Sequence, residues 1–173
     1  MNRLPVLPLF LLMLSSCAGQ TPQTNHASAE TQDTLVIEKS EAEWREELPH
    51  MACFVLREKG TERAFTGEFW DLEETGVYRC AGCSQLLFDS EHKFESGTGW
   101  PSFFQPAEGS AILEEEDDSW GMRRVEVMCS SCGGHLGHVF QDGPRPTGLR
   151  YCINSAALSF DAASIRSEKG PAD

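Results

Sequence analysis

The chain has 173 residues, 40% of them hydrophobic and 24% charged, and these fractions are those of an ordinary globular protein with room for one domain. They exclude a disordered, collagenous or polytopic membrane chain. The 27 acidic side chains outnumber the 14 Lys and Arg, and the formal net charge of −13 argues against nucleic acid as a partner. Seven cysteines exceed what packing requires, so we expect metal, redox or covalent chemistry from most of them.

The N-terminus has the pattern of an export signal. Arg3 precedes an apolar run over residues 4–14 that is too short to span a bilayer. The run ends in LSSCA, residues 14–18, which resembles the lipobox of bacterial lipoproteins. We therefore expect a signal peptide over residues 1–16, a lipid on Cys17, and an exported protein anchored to a bacterial membrane on its periplasmic or cell-surface side. A plain cleaved signal peptide with an incidental Cys17 is the alternative.

The segment after Cys17 predicts a tether. Residues 18–33 contain no large apolar side chain, which is typical of a flexible segment, and we expect the tether to occupy residues 17–39. The globular domain is then expected over residues 40–166, followed by a disordered tail over 167–173.

Two short helices are predicted at the start of the domain. Ser40 and Glu43 have the spacing of a capping box, and Pro49 ends the first helix. The second helix is predicted over residues 50–59, with Gly60 in the left-handed conformation that often ends a helix.

Beyond Gly60 the pattern is that of strands. Short runs with strand character, residues 76–79, 123–129 and 149–160, are separated by clusters of Gly, Pro, Asp and Ser. The sequence therefore predicts a mostly β domain with antiparallel strands. It contains neither a GxGxxG motif nor a P-loop, so nothing in it indicates a nucleotide cofactor.

Two C-x-x-C pairs predict one metal site. Cys80 with Cys83, and Cys129 with Cys132, can each place two thiolates on one ion through a tight turn, and together they complete the tetrahedral coordination that zinc prefers. Four thiolates leave no open position for water, so we expect a structural Zn²⁺. Two disulfides are the alternative, since an exported protein permits them.

Setting aside Cys17 and the four ligands leaves Cys53 and Cys152 as candidates for reactivity. Along the strand predicted around Cys152, alternation places Arg150, Cys152 and Asn154 on one face. The Arg150 guanidinium would favour the nucleophilic thiolate, and the Asn154 amide could donate to an oxygen of the molecule under attack. A half-buried structural cysteine is the alternative for Cys152.

Two further segments concentrate residues suited to a binding pocket. The segment GTGWPSFF, residues 97–104, gathers glycine, tryptophan and proline in one turn and could present Trp100 as an aromatic wall. The segment GGHLGHVF, residues 133–140, directly follows the second C-x-x-C pair, so the metal would fix its two histidines and its phenylalanine. A rigid histidine can act as a proton donor.

The ordered motifs closely resemble those of the B-type methionine sulfoxide reductases. The motifs are GTERAFTG at 60–67, GTGWPSF at 97–103, HLGHVF at 135–140, DGP at 142–144 and RYCINS at 150–155. With both C-x-x-C pairs, the resemblance extends over about residues 41–160. It implies a zinc-bearing fold of two antiparallel sheets. It also implies reduction of the R epimer of methionine sulfoxide in oxidised proteins or peptides, with the free amino acid as a further candidate.

By the same resemblance, Cys152 would be the nucleophile and Trp100 the wall against the methyl group of the substrate. His138 and Asn154 would bind or protonate the sulfoxide oxygen. The remaining substrate-binding residues would be His135, Phe140 and Arg150. We expect methionine and a sulfenic acid on Cys152 as the products, and we expect the protein to be a monomer.

Regeneration of Cys152 departs from a common pattern of this family. Many members carry a resolving cysteine at the position of Thr98, and threonine cannot resolve a sulfenic acid. Cys53 remains as a resolving thiol, although its position also suits a small apolar residue on a buried helix face. A thioredoxin-like protein or another thiol reductant would complete the cycle.

Two other classes of function stay open at this point. A non-catalytic zinc module of similar fold that binds a partner would tolerate replacement of Cys152. A cysteine hydrolase or acyltransferase would use Cys152 with His135 or His138 and would act on a hydrolysable acyl substrate.

Overall fold

The structure, a computed structural model, describes residues 37–163 apart from the side chain of Trp120. The predicted signal peptide, Cys17, residues 18–36 of the predicted tether and the predicted tail over 167–173 lie outside these residues. Among the helices within residues 37–163, none is long and apolar enough to cross a membrane.

Two helices and eight strands make up the described part of the chain. The helices are α1 (Glu41–Glu47) and α2 (His50–Glu58). The strands are β1 (Gly76–Cys80), β2 (Leu86–Asp89), β3 (Ser102–Phe103), β4 (Ile112–Asp117), β5 (Arg124–Cys129), β6 (His135–Phe140), β7 (Arg150–Ile153) and β8 (Leu158–Ala162). The strands form two antiparallel sheets, so the predicted fold class is confirmed.

Helix α1 begins where the capping box predicts. The Glu43 N–H donates to the Ser40 hydroxyl at 3.3 Å, and the Ser40 N–H donates to the Glu43 carboxylate at 2.7 Å, which satisfies two of the free donors at the helix start. The domain begins earlier than predicted, because the Ile37 N–H donates to the Ser131 carbonyl at 2.9 Å. Residues 37–39, which the sequence assigned to the tether, therefore belong to the domain.

Helix α2 follows Pro49 and ends one residue earlier than predicted. Its left-handed residue is Lys59, with a φ of 54°, and not Gly60. Glycine is needed at position 60 for a different reason, since a Cβ there would lie 2.2 Å from the ring of Phe54. Gly60 is therefore required because the chain passes close to its own helix, and not because it ends the helix in a left-handed conformation.

The two sheets differ in size. The smaller has the order β2-β1-β8 and the larger has the order β3-β7-β6-β5-β4. The run predicted as one strand over residues 149–160 is two strands, because a 3-10 turn at Ser155–Ala157 separates β7 in the larger sheet from β8 in the smaller one. The chain passes from one sheet to the other at this turn.

Aromatic rings fill the core between the sheets. Phe103 of β3 stacks on Phe88 of β2 with ring centroids 4.4 Å apart, and it meets Tyr78 of β1 edge-on at 5.0 Å. All three side chains are fully buried, and each ring of this kind removes about 150–250 Å² of surface from water. These contacts hold the small sheet against the larger one.

Helix α2 packs against β6 and against the 3-10 turn at Ser155–Ala157. Its buried face includes Cys53, Val55 and Leu56. Because β6 pairs with β7 and the 3-10 turn follows β7, the helix lies one element away from Cys152.

Candidate active site and metal centre

The two C-x-x-C pairs form matching turns at the ends of β1 and β5. In the first turn the Ser84 N–H donates to the Cys80 carbonyl at 2.9 Å, and in the second the Gly133 N–H donates to the Cys129 carbonyl at 2.9 Å. Ser84 and Gly133 are both left-handed, with φ of 64° and 67°. The same local geometry therefore presents two sulfurs from each sheet.

The four sulfurs converge on one point. They lie within 4.8 Å of one another, with Cys80 and Cys132 3.7 Å apart and Cys83 and Cys129 3.5 Å apart. These distances approach the edge, about 3.8 Å, of a tetrahedron with metal–sulfur bonds of about 2.3 Å, and they far exceed a disulfide bond of about 2.05 Å. All four cysteines are free thiols. The predicted cluster is confirmed as a site able to hold a metal ion, and its four sulfurs form no disulfide in the structure.

The metal centre joins the two sheets beside helix α2. Leu56 packs on the second turn so closely that a Cβ at Gly134 would lie 2.9 Å from its Cδ2, and Arg57 donates to the Cys132 carbonyl at 3.1 Å. A metal ion held here would act on the fold, because four sulfurs form a complete ligand set and leave no position for a substrate.

Cys152 lies in β7, inside the larger sheet. Its cross-strand partners are Ser102 on β3 and His138 on β6, and His138 pairs in turn with Glu126 on β5. Directly opposed residues of antiparallel strands project from the same face. Ser102, Cys152, His138 and Glu126 therefore form one row across the sheet, on the face opposite to the buried Tyr151.

A close approach of β6 to β7 brings His138 against Cys152. A Cβ at Gly137 would lie 2.1 Å from the Cys152 carbonyl oxygen, so only glycine fits beside this part of β7. The strand pairing, and not the metal alone, thus sets the position of His138.

Arg150 lies on the same face as Cys152, two residues before it, but Asp142 shares its charge. The guanidinium makes two hydrogen bonds to the Asp142 carboxylate, both of 2.9 Å, and lies 4.4 Å from the centroid of the Phe140 ring. The hydrogen bonds between the two groups raise the pKa of Arg150 and lower the pKa of Asp142. The bidentate pair and the stacked ring fix the plane of the guanidinium.

The Cys152 thiol is half-buried, and its surroundings favour the protonated form. Burial raises the pKa of Cys152 above its usual value, although Thr98, whose Oγ1 lies 3.9 Å from the sulfur, and the charge of Arg150 act in the opposite direction. Arg150 favours the thiolate as the sequence predicts, but burial outweighs it.

His138 is held by groups on two neighbouring strands. Its Nε2 lies 2.8 Å from Asp117 Oδ2 on β4, and Arg124 on β5 donates to the same oxygen at 2.6 Å. Hydrogen bonds from Ser119, His138 and Arg124 hold the pKa of Asp117 well below its usual value. The carboxylate is therefore ionised and accepts the Nε2 proton of His138.

His135 is buried beside His138, with ring centroids 5.4 Å apart. Its Nδ1 lies 2.7 Å from the Glu126 carboxylate, which also accepts a hydrogen bond from Lys59 at 2.7 Å. Burial lowers the pKa of His135, while Glu126 opposes that change. Burial also works against the charge of Glu126, yet hydrogen bonds from Lys59 and His135 hold the pKa of Glu126 below its usual value. Within residues 37–163 the His135 Nε2 has no hydrogen-bond partner, so it offers one acceptor.

Trp100 is held in place by its backbone neighbour Gly99 and by the N–H of its indole ring. The residue before it, Gly99, has a φ of 84°, and a Cβ there would lie 2.7 Å from Phe65; both features require glycine. The indole N–H donates to the Glu62 carbonyl at 3.2 Å. Part of the ring remains exposed, as a wall for a bound apolar group requires.

Asn154 directly follows the last residue of β7, and its N–H still donates to the Leu136 carbonyl of β6 at 2.9 Å. The amide oxygen accepts from the Glu62 N–H at 3.0 Å, and the amide nitrogen donates to the Leu136 carbonyl at 2.9 Å. Both ends of the buried side chain are engaged inside the domain. The amide nitrogen carries two hydrogens, so the predicted contact of Asn154 with a sulfoxide oxygen needs neither of these bonds to break.

Glu62 links the segments around the site, although the sequence assigned it no role. Its carboxylate accepts hydrogen bonds from the Ser155 N–H at 2.6 Å and from the Ala156 N–H at 2.9 Å. Its own main chain binds Trp100 and Asn154. Glu62 therefore positions the indole relative to the end of β7. The motif GTERAFTG was the only sequence signal for it.

Asp117, Arg124 and Glu126 were also missed from the sequence. Asp117 is the fourth residue of the acidic run EEEDD, residues 114–118, which resembles a solvated surface. Its histidine partner lies 21 residues further along the chain. No local pattern could have shown that this one carboxylate of the run holds His138.

The structure does not place Cys53 in the row of residues around Cys152. Cys53 is buried in α2, and the helix contacts β6 and the 3-10 turn at Ser155–Ala157. Both cysteines are free thiols.

Known proteins match most of the chain. The SelR domain family matches residues 48–162. The peptide methionine sulfoxide reductase MsrB of Thiobacillus denitrificans is 59% identical over 122 residues, covering 70% of this chain and 92% of that protein. The MsrB of Bradyrhizobium diazoefficiens is 58% identical over 135 residues, covering 78% and 96%, and that of Leptospira interrogans is 55% identical over 124 residues, covering 72% and 95%. The chain belongs to the MsrB family of peptide methionine sulfoxide reductases.

The match spans both metal-binding turns and every residue described around Cys152. The family resemblance drawn from the motifs is therefore confirmed. Membership in the MsrB family makes the chain a reductase, which removes the non-catalytic zinc module and the acyl hydrolase as alternatives.

Proposed function

We propose that this MsrB-family protein reduces methionine-R-sulfoxide to methionine, with oxidised proteins or peptides as substrates and the free amino acid as a further one. The observation that carries the proposal is the pairing of Cys152 with His138 on adjacent strands, with His138 oriented by Asp117. This arrangement supplies a nucleophile and a proton donor on one face of the sheet. The R epimer is proposed from the resemblance to B-type enzymes.

The first half-reaction needs no other reactant. The Cys152 sulfur attacks the sulfoxide sulfur, and the sulfoxide oxygen is transferred to Cys152. A thiol and a sulfoxide become a sulfenic acid and a thioether, so the Cys152 sulfur loses two electrons and the methionine sulfur gains them. The exposed part of the Trp100 ring would provide the apolar surface for the methyl group of the substrate.

His138 would protonate the sulfoxide oxygen as the sulfur is attacked. With both ring nitrogens protonated, the Nε2–H of His138 would donate to Asp117, and the Nδ1 proton would be available to the sulfoxide oxygen. Protonation turns the oxygen into a better leaving group. The proton released by the Cys152 thiol then replaces the one that His138 has given.

Turnover of the separated R and S epimers tests this function. We expect the R epimer to be reduced and the S epimer to be left unchanged at the same concentration. In Cys53→Ala without a reductant, one equivalent of R-sulfoxide should leave a sulfenic acid on Cys152, which dimedone traps for peptide mapping. A preference for the S epimer would refute the substrate, and modification of a residue other than Cys152 would refute the mechanism.

For regeneration we propose that Cys53 supplies the second thiol. Attack by the Cys53 thiol on the Cys152 sulfenic acid forms a disulfide and releases water, which takes the proton of the thiol and the hydroxyl of the sulfenic acid. Two electrons and two protons from a thioredoxin-like protein or another thiol reductant then restore both thiols. An internal thiol at high effective concentration intercepts the sulfenic acid before its irreversible oxidation. Cys53 is buried in α2, and a disulfide needs the two Cα atoms within about 7 Å.

We propose Zn²⁺ as the ion at the metal centre. Tetrahedral sites with four thiolates are typical of structural zinc. Cys80, Cys83, Cys129 and Cys132 would hold it, and it would link β1 of the small sheet to β5 of the large one. It would supply stability and take no part in the reaction.

We further propose that the protein is exported and anchored to a bacterial membrane by a lipid on Cys17, and that it acts as a monomer. The sequence of residues 1–18 alone supports the anchor. Cys17→Ala should release or mislocalise the protein. An unprocessed Met1 terminus on protein from its native host would refute the processing step.

A further inference from the structure

Three hydroxyl groups form an unbroken chain that ends on the Cys152 sulfur. Ser102 Oγ lies 2.7 Å from Ser96 Oγ, Ser96 Oγ lies 2.8 Å from Thr98 Oγ1, and Thr98 Oγ1 lies 3.9 Å from Cys152 Sγ. At the far end, Ser102 Oγ lies 3.2 Å from the Trp100 carbonyl oxygen. Ser102 is buried, and Ser96 and Thr98 are half-buried.

The carbonyl at the far end fixes the direction of the hydrogen bonds. Each hydroxyl has one proton, and a carbonyl can only accept, so Ser102 donates its proton to Trp100. Ser96 must then donate to Ser102, and Thr98 must donate to Ser96. With its proton used, Thr98 presents a lone pair to Cys152 and accepts the S–H of the neutral thiol.

Ionisation of Cys152 removes that S–H and places a negative charge beside the lone pair. Rotation of the three hydroxyls relieves this conflict, because Thr98 can then donate to the sulfur while Ser96 and Ser102 each donate to the next oxygen. The only hydrogen bond lost is the one to the Trp100 carbonyl, and at 3.2 Å it is the longest of the oxygen–oxygen contacts. Hydrogen bonds to charged acceptors are stronger than those between neutral groups, so the reversed chain is favoured once the thiolate forms.

We propose that the chain Ser96–Thr98–Ser102 reverses its direction when Cys152 ionises, so that Thr98 donates a hydrogen bond to the thiolate and stabilises the nucleophilic form. Thr98 is then a catalytic residue, because it touches the reacting atom, and Ser96 and Ser102 are positioning residues that act through it. The inference rests on the proposed function through the role of Cys152 as nucleophile.

The charged groups around Cys152 do not replace the hydrogen bond from Thr98 in stabilising the thiolate. Those that face it are Arg150 on its own strand, Asp142 beside Arg150, and His138 on β6. The neighbouring strand β3 presents the uncharged Ser102. Burial raises the pKa of Cys152, and the hydrogen bond with Thr98 is the largest effect that opposes burial.

The pH dependence of Cys152 alkylation tests the proposal without any sulfoxide. Iodoacetamide reacts with the thiolate, and the rate at Cys152 is read from its peptide by mass spectrometry on the metal-loaded protein. Thr98→Val removes the hydroxyl at nearly constant shape, and we expect the midpoint of the profile to rise by about one pH unit and the rate at pH 7 to fall about tenfold. Thr98→Ser should restore both. Ser96→Ala should move the midpoint in the same direction by less.

Thr66→Val is the matched control, since the Thr66 hydroxyl donates to the Arg63 carbonyl at 2.7 Å, and its profile should equal that of the wild type. An unchanged midpoint in Thr98→Val, or a shift that Thr98→Ser fails to restore, overturns the proposal. If Thr98→Val does not fold, a wild-type midpoint in Ser96→Ala overturns it instead. Failure to reduce methionine sulfoxide would refute the proposed function and leave these profiles unchanged, so the two failures are distinguishable.

Discussion

The metal centre and the Cys152 site use the same side chain in opposite surroundings. At the metal centre four sulfurs face one another within 4.8 Å. At the other site a single half-buried sulfur faces the hydroxyl of Thr98 and lies in a row with His138. Sulfur neighbours create a shared ligand set, whereas neighbours that exchange protons create a reactive thiol. The difference shows that the groups facing the sulfur decide what each cysteine of this chain can do.

Replacing the sulfur of Cys152 should give the largest effect and separate the two regions. Cys152→Ser removes the nucleophile, and we expect reduction of the R-sulfoxide to fall about 10³-fold or more. The metal content and the melting temperature should stay unchanged, because the substitution changes little volume and touches no ligand. Steady-state turnover, elemental analysis and thermal unfolding measure the three quantities. Near-normal turnover would contradict the assignment of the nucleophile.

Disturbing the metal centre should instead change the metal content and the melting temperature. We expect one zinc per chain, and we expect a chelator or Cys132→Ser to lower the melting temperature, because the ion binds the folded chain far better than the unfolded one. Each kcal/mol lost corresponds to about 2–8 °C in a domain of this size. Cys152→Ser serves as the control, since it removes a thiol outside the cluster. Metal-free protein with the four thiols oxidised in pairs would contradict this prediction.

Neutralising Asp117 should weaken the reactive site without touching its sulfur. Asp117→Asn keeps the size of the side chain but loses the charge that orients His138, and we expect kcat to fall about 10- to 100-fold, a part of what a positioned proton donor contributes. KM should change little, because the carboxylate lies behind the imidazole. Glu115→Gln, at an exposed position of the same strand, is the matched control. A change confined to KM would show that Asp117 binds substrate instead.

The buried thiol of Cys53 belongs to neither the metal centre nor the Cys152 site. Its removal tests whether it resolves the sulfenic acid on Cys152. After one turnover without reductant, we expect peptide mapping to find a Cys53–Cys152 linkage in the wild type. Cys53→Ala should leave the sulfenic acid exposed, so that conversion to the sulfinic acid rises several-fold under peroxide. A sulfenic acid trapped in the wild type, with Cys53 still reduced, would assign regeneration to an external thiol.

Local patterns of the sequence predicted the start of α1, the antiparallel strands and the metal cluster, because a capping box, a strand run and a C-x-x-C turn each depend on residues a few positions apart. The arrangement in two sheets was implied by the family resemblance. Contacts between residues far apart in the chain could not be predicted from such local patterns. One example is the hydrogen bond from the Ser155 N–H to the Glu62 carboxylate, which joins residues 93 positions apart. Alternation predicted the face of Cys152 that the strand pairing shows, while the hydrogen bonds of the Asn154 side chain to Glu62 and Leu136 carried no sequence signal. Which side chains meet across strands depends on register, and no single segment carries that information.

The smallest expected effect is the pH dependence of stability that comes from His135. Burial lowers the pKa of this base, whereas it raises the pKa of the Cys152 thiol. Burial lowers the pKa of His135 in the folded protein, while in the unfolded chain it titrates near about 6.5. The unfolded chain therefore binds more protons between the two pKa values. The stability contributed by neutral His135 is complete above the unfolded pKa and is lost as the pH falls through the folded one.

Urea unfolding at pH 7.5 and at pH 5.5 measures this loss. His135→Gln keeps an N–H for Glu126 but does not titrate, so we expect the wild type to lose more stability between the two pH values than the variant does. Metal content must be measured at both pH values, because acid also releases a thiolate-bound ion. Equal losses in the two proteins would mean that His135 binds protons alike when folded and unfolded.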